Sequence, residues 1–148
     1  MNTVGNIVKN REVFTVKRDQ TVLEVIQFMV EKRIGAVAVL EGDRLVGIFS
    51  ERDLMKRVVA KGLDSKDIHM EEVMTRNIII AHPDESYAAC LAKMQSHNIR
   101  HLVIASGDRL IGMISLRDLM MIDIKEKSAE IEMMNAYLHY IPPPVASA

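Results

Sequence analysis

The stretch GDRLVGIFSERDLM at residues 42–55 returns as GDRLIGMISLRDLM at residues 107–120, identical at ten of fourteen positions. The offset of 65 residues holds without insertion from Val4–Val59 onto His69–Ile124. A unit of this length is too long for a solenoid repeat. Two copies of one small unit must then pack against each other, because neither alone buries much core. At 148 residues the pair can bury roughly two thirds of its unfolded surface, so no disulfide or metal is needed to support it.

Each unit reads β-α-β-β-α. VFTV (13–16) and IIIA (78–81) are short β-rich runs. In TVLEVIQFMVEKR, Val22, Val25, Ile26 and Met29 recur at helical spacing, and Thr21 and Glu24 have capping-box spacing. The corresponding stripe is Tyr87, Cys90, Leu91 and Met94. AVAVL and LVGIF flank the hairpin signal EGDR, and HLVIA and LIGMI flank SGDR. A helix is predicted after Ser50 and after Ser115. The units span 4–59 and 69–124, joined by a linker at 60–68. Residues 125–148 form a C-terminal helix and tail, with Ile131, Met134 and Leu138 on one side, a stop at PPP (142–144) and a frayed VASA. A terminal stripe of this kind is more often packed on its own core than used for self-association.

Composition narrows the function. Net charge is −1, which gives no basic stripe for nucleic acid. No run reaches the length of a membrane span, and the N-terminus lacks a signal-peptide core, so a cytoplasmic protein is expected. Cys90, the only cysteine, lies on a helical apolar stripe and reads as a buried, inert thiol. His97 and His101 are four apart, but the helix pattern ends between them, so no metal site is expected. The eleven methionines read as core filler. Neither a Walker loop nor a dinucleotide-binding glycine loop occurs.

Ser50-Glu51-Arg52-Asp53 and Ser115-Leu116-Arg117-Asp118 admit two readings. The simpler is an N-cap with an acidic residue at the third helical position. The other is a ligand site, where exposed first-turn amides meet a polar group and the carboxylate accepts vicinal hydroxyls.

The motifs GIFSERD and GMISLRD, the VMTRN before the second unit's first strand and the β-α-β-β-α order resemble a tandem pair of CBS domains, the Bateman module. SERDLMKRV, RHLVI and IEMMNAYLHYI resemble the small stand-alone CBS-pair proteins of bacteria and plant organelles, with Val103 where that group tends to have proline. The resemblance implies an α+β fold of two CBS repeats packed as a pseudo-twofold pair. It implies ribose contacts from Ser50 with Asp53 and from Ser115 with Asp118. It further implies an adenine slot involving Thr15, Ile80, Ala36 and Val37, and basic residues near the phosphates.

Arg100 and His101 are phosphate candidates, and their partners at offset 65 are Gly35 and Ala36, so the two clefts are expected to differ. Arg52 and Arg117 are further candidates, with a structural role in ion pairs as the alternative. The function implied is a non-enzymatic sensor of adenine nucleotides such as AMP, ATP or NAD, with no catalytic cofactor. It would act on an unidentified effector protein in trans. By resemblance, two chains stack into a homodimeric four-domain disc. The rivals are a ligand-independent dimerisation or scaffolding module and a nucleotide-hydrolysing or nucleotide-transferring enzyme.

Overall fold

Two three-stranded sheets carry the fold. The structure is a computed structural model and describes residues 3–142. The chain divides into two compact units, one ending at Leu116 and the other beginning at Arg117.

In the first unit, β1 (Thr15–Lys17) pairs parallel with β2 (Ala36–Glu41), which pairs antiparallel with β3 (Arg44–Ser50). The helix α2 (Val22–Lys32) makes the crossover between β1 and β2. β4 (Ile80–Ala81), α5 (Tyr87–His97), β5 (His101–Ser106) and β6 (Arg109–Ser115) repeat the arrangement. Thr21 caps α2 as its spacing predicts, accepting the Glu24 amide at 3.2 Å. Gly42 and Gly107 take positive φ in the two hairpin turns, which the EGDR and SGDR signals required.

β2 explains how the repeats meet. Four successive residues, Ala36 to Val39, are buried, so both faces of the strand are covered. Val37 and Val39 join Val22, Val25, Met29 and Phe49 under the helices. Ala38 points the other way and meets Val103 and Ala105 of the second sheet. Alanine at 38 and 105 lets the two sheets approach, while the larger valines fill the space beneath α2.

Two short helices were not foreseen: α1 (Val4–Val8) and α4 (Met70–Val73). Each crosses to the other repeat. The amides of Val4 and Gly5 donate to Glu85 O and Pro83 O, both at 2.8 Å. Reciprocally, Met70 and Glu71 donate to Gln20 O and Arg18 O, at 2.8 and 2.9 Å. These bonds equate Val4 with Met70 and Gly5 with Glu71, an offset of 66 rather than 65. Val8 against Gly112 and Met74 against Gly47 keep that offset. From β1 onward the offset is 65, since Thr15 faces Ala38 and Ile80 faces Val103. The expectation of a gap-free repeat from Val4 is therefore corrected. The loop before β4 is one residue shorter than the loop before β1.

After Ser50, α3 (Glu51–Leu54) continues as a π-helical stretch over Met55–Val59. The helix α6 (Leu116–Leu138) extends well past the repeat. Ile131, Met134 and Leu138 are 58%, 63% and 71% exposed. The methionines also divide. Met29, Met70, Met74 and Met94 are core, whereas Met55, Met120, Met121, Met133 and Met134 are exposed, which corrects their reading as core filler. Of the predicted stop, Pro142 follows the helix, while Pro143, Pro144 and the final VASA lie outside the described residues.

Candidate functional site

The end of β3 builds one wall of a cleft. Ser50 is extended, so its hydroxyl turns back to accept the Asp53 amide at 3.3 Å. Asp53 Oδ2 in turn accepts the Ser50 amide at 3.0 Å and its hydroxyl at 3.2 Å. The capping box is complete, and the simple structural account of Ser-x-x-Asp holds in the first repeat.

The short loop before β4 brings a second hydroxyl to the same carboxylate. Thr75 exchanges two backbone hydrogen bonds with Ile48, at 2.8 and 3.0 Å. This pins its hydroxyl against Asp53, to which it donates at 3.3 Å. Arg57 adds a positive charge, with Nε 3.9 Å from Asp53 Oδ1 and Nη1 donating to Val73 O at 2.9 Å. Asp53 thus sits half-buried among Ser50, Thr75 and Arg57.

The opposite wall comes from the second repeat. α5 ends at Asn98, whose left-handed φ of 50° turns the chain toward Ile99, Arg100 and His101. Arg52 of α3 reaches across and donates to Asn98 O at 2.7 Å. Arg52, one of the phosphate candidates, therefore holds a backbone carbonyl and not the neighbouring acid that was its alternative partner.

Between these walls lies a cleft of about 540 Å³. Ser50, Glu51, Arg52 and Asp53 line it from the first repeat, and Arg100 and His101 from the second. Ile48, Met55, Ile78, Ile79 and Ile99 give it an apolar side, and Thr75 and Asn77 complete the polar one. Such a volume, mostly apolar with a few convergent polar groups, suits a small organic ligand. Gly35 also lines the cleft, where a Cβ would stand 2.9 Å from Glu51 Oε1 and 3.3 Å from His101 Cε1. Its lack of a side chain makes room for both.

Five sequence candidates, Ser50, Arg52, Asp53, Arg100 and His101, are thus brought together, and Asp53 is the aspartate that shares a cleft with Arg100. Thr15, Ile80, Ala36 and Val37 do not line it. Ala36 and Val37 are buried in β2, and Ile80 packs in the seam between the sheets. The isoleucines at 78 and 79, one step earlier in the chain, take the place expected of Ile80. Ser115 ends β6, and Arg117 and Asp118 stand in the first turn of α6, within the second unit.

The CBS domain sequence model matches residues 4–60 and again residues 70–125. The chain belongs to the CBS-domain family. It is 31% identical over 124 residues to the CBS domain-containing protein YhcV of Bacillus subtilis, covering 84% of this chain and 88% of that one. It is 28% identical to the mitochondrial CBS domain-containing protein CBSX3 of Arabidopsis thaliana, covering 81% of this chain and spanning 61% of that protein's length. Among solved structures, a CBS-domain protein of Burkholderia ambifaria, described as a putative signal-transduction protein, superposes with TM-score 0.78 at 38% identity, over 84% of this chain and 95% of that one. The CBS domain protein PAE2072 of Pyrobaculum aerophilum, solved with AMP, superposes with TM-score 0.72 at 26% identity, over 79% and 89%. The α+β pair of CBS repeats expected from the sequence is thereby established.

Thr75, Asn77, Ile78 and Ile79 were missed as site residues. The signal was present in VMTRN, which the CBS resemblance singled out, but nothing in its composition says that it lies beside Ser50. Cys90 is buried, and burial, with the Glu85 charge added, pushes its thiol above the ordinary value against the opposing effect of Lys93. Among the described residues no helix is long and apolar enough to cross a membrane.

Proposed function

We propose that this CBS pair is a non-enzymatic regulatory module that binds an adenine nucleotide, AMP, ATP or NAD, in the cleft between Asp53 and Arg100. One observation carries the proposal. A single cleft joins hydroxyl-binding groups (Asp53, Ser50, Thr75) to the guanidinium groups of Arg100 and Arg52 and the imidazole of His101, with an isoleucine wall beside both. The ribose hydroxyls donate to Asp53, adenine rests on Ile48, Ile78, Ile79 and Ile99, and the phosphates lie toward Arg100 and His101. Arginine suits that last role because its planar fork matches phosphate oxygens. On sequence grounds we extend the ribose role to Ser115 and Asp118, with Arg117 beside them. The AMP bound to the Pyrobaculum relative supports the ligand class.

A ligand here touches both repeats. It shifts their arrangement to the extent that it binds one arrangement more tightly than another. The output passes to an effector protein in trans, and the chain works as a cytoplasmic homodimer, with neither nucleic acid nor membrane as partner. The second reading, a ligand-independent scaffolding module, is favoured by the engagement of Asp53 in its own capping box.

Thermal denaturation of ligand-free protein with AMP, ATP and NAD separates the two. At 100-fold excess over Kd a ligand specific for the folded state adds about 2.7 kcal/mol. The melting temperature then rises by several degrees, and the absence of a shift with all three nucleotides favours the scaffold.

A further inference from the structure

The helix α6 carries a pattern that neither the repeat nor the cleft uses. Met120, Ile124, Lys127, Ile131, Met134 and Leu138 follow one another at steps of four, three, four, three and four residues. This alternation of fours and threes is the spacing of the seam by which one helix lies along another. Its five apolar members are all more than half exposed. The sixth, Lys127, is the one charged residue in the seam.

Lys127 decides the orientation. In a parallel pair in register, each seam residue meets its own copy, and Lys127 would face Lys127. In an antiparallel pair, Met120 faces Leu138, Ile124 faces Met134, and Lys127 faces Ile131, each pairing recurring across the dyad. Every apolar seam residue but one then meets an apolar partner. Glu130 flanks the seam near the dyad, within reach of the opposite Lys127. The two lysines and two glutamates alternate there in sign. Asp123, Glu126, Glu130 and Glu132 surround the stripe, which disfavours an anionic lipid surface as its cover.

We propose that α6 pairs with α6 of a second copy of this chain as an antiparallel two-helix coil, seamed by Met120, Ile124, Ile131, Met134 and Leu138, with Lys127 of each helix paired to Glu130 of the other. The proposal rests on the homodimer reading and adds its contact surface and direction. The interface is isologous, as a twofold dimer demands.

The full-length chain tests this by sedimentation and by oxidative cross-linking of an Ile124→Cys/Met134→Cys variant. The buried Cys90 stays out of the reaction. The two new cysteines, ten residues apart on one helix, lie too far apart to bridge within a chain. The expected result is a dimer whose disulfide-linked peptides join 124 to 134. A dimer that yields 124–124 and 134–134 links, or none, overturns the antiparallel coil and leaves the homodimer standing. A monomer at micromolar concentration overturns both. Separately, Met134→Glu at its exposed position, opposite Ile124 in the antiparallel pair, should leave the fold intact and weaken dimerisation by about ten-fold or more, because it buries an unpaired charge. An unchanged dimer constant contradicts the seam.

Discussion

Arg52 Nη1 stands 2.7 Å from the carbonyl oxygen of Asn98. This hydrogen bond joins the first turn of α3 in one repeat to the left-handed residue that ends α5 in the other. The cation also meets the carbonyl-rich end of a helix, where positive charge is favoured. Since Asn98 directs the chain into Ile99, Arg100 and His101, Arg52 positions the opposite wall of the cleft.

Arg52→Ala should therefore cost about 1 kcal/mol of stability, read as a fall of about 3 °C in melting temperature. It should weaken AMP and adenosine alike, through the displaced wall. Loss of AMP affinity with unchanged stability would instead assign Arg52 to the ligand.

Arg100 has the converse signature. A charge-assisted hydrogen bond to phosphate is worth ~1.5–3 kcal/mol, so Arg100→Ala should weaken AMP by about ten-fold or more. Adenosine binding should be unaffected. Calorimetric titration with both ligands checks this, and equal losses for the two would remove Arg100 from the phosphate.

The crossed helices make their own prediction. A methyl group on Gly47 would stand 2.5 Å from Met74 Sδ, and one on Gly112 would stand 3.0 Å from Val8 Cβ. Overpacking of this kind costs about 1–3 kcal/mol. Met74 is buried and also meets that methyl with Cγ at 2.9 Å and Cβ at 3.2 Å, so turning its sulfur aside does not clear the space, whereas Val8 has only to give by a few tenths of an ångström. Gly47→Ala should thus be the more destabilising in chemical denaturation, and Gly112→Ala should loosen α1, seen as faster amide exchange at Val4 and Gly5.

Glu85 sets an acid limit. Burial works to raise its carboxyl, but the hydrogen bond from Lys93, the His82 amide and the charges of Lys93 and His82 outweigh it and hold the group below its usual 4.5. Lys93 Nζ lies 2.8 Å away and also donates to Ile80 O. A carboxyl held lower in the folded state contributes stability that is fully present above its ordinary value. The contribution is lost as pH falls below that value and through the folded one. Glu85→Gln should flatten the slope of stability against pH below 4.5. An unchanged slope would show that the Lys93 pair does not report on folding.

The parts of this fold governed by local periodicity were legible in the sequence. Thr21 with Glu24, and Ser50 with Asp53, declared their caps three residues away. The hairpin glycines declared their turns. The crossed helices were not legible, because α1 and α4 are too short for a periodic pattern, and the acceptors for Val4 and Gly5 lie about eighty residues distant in Pro83 and Glu85. A separation of 22 residues likewise hid Thr75, which reaches Asp53 only because its backbone pairs with Ile48. Ala36 and Val37, named for an adenine slot, do not line this cleft, and the reason is related. A run of four apolar residues signals burial on both faces but does not say which face, if either, a ligand sees.

Calorimetric titration of ligand-free protein with AMP tests the central claim most directly, alongside Asp53→Asn, which can still accept the Ser50 amide but loses the carboxylate's charge. The account predicts measurable AMP binding to the wild type and a loss of about ten-fold or more in the variant, the worth of a hydrogen bond to a charged acceptor. No heat from the wild type with AMP, ATP or NAD at millimolar concentration, or equal AMP affinity in the two proteins, would contradict it.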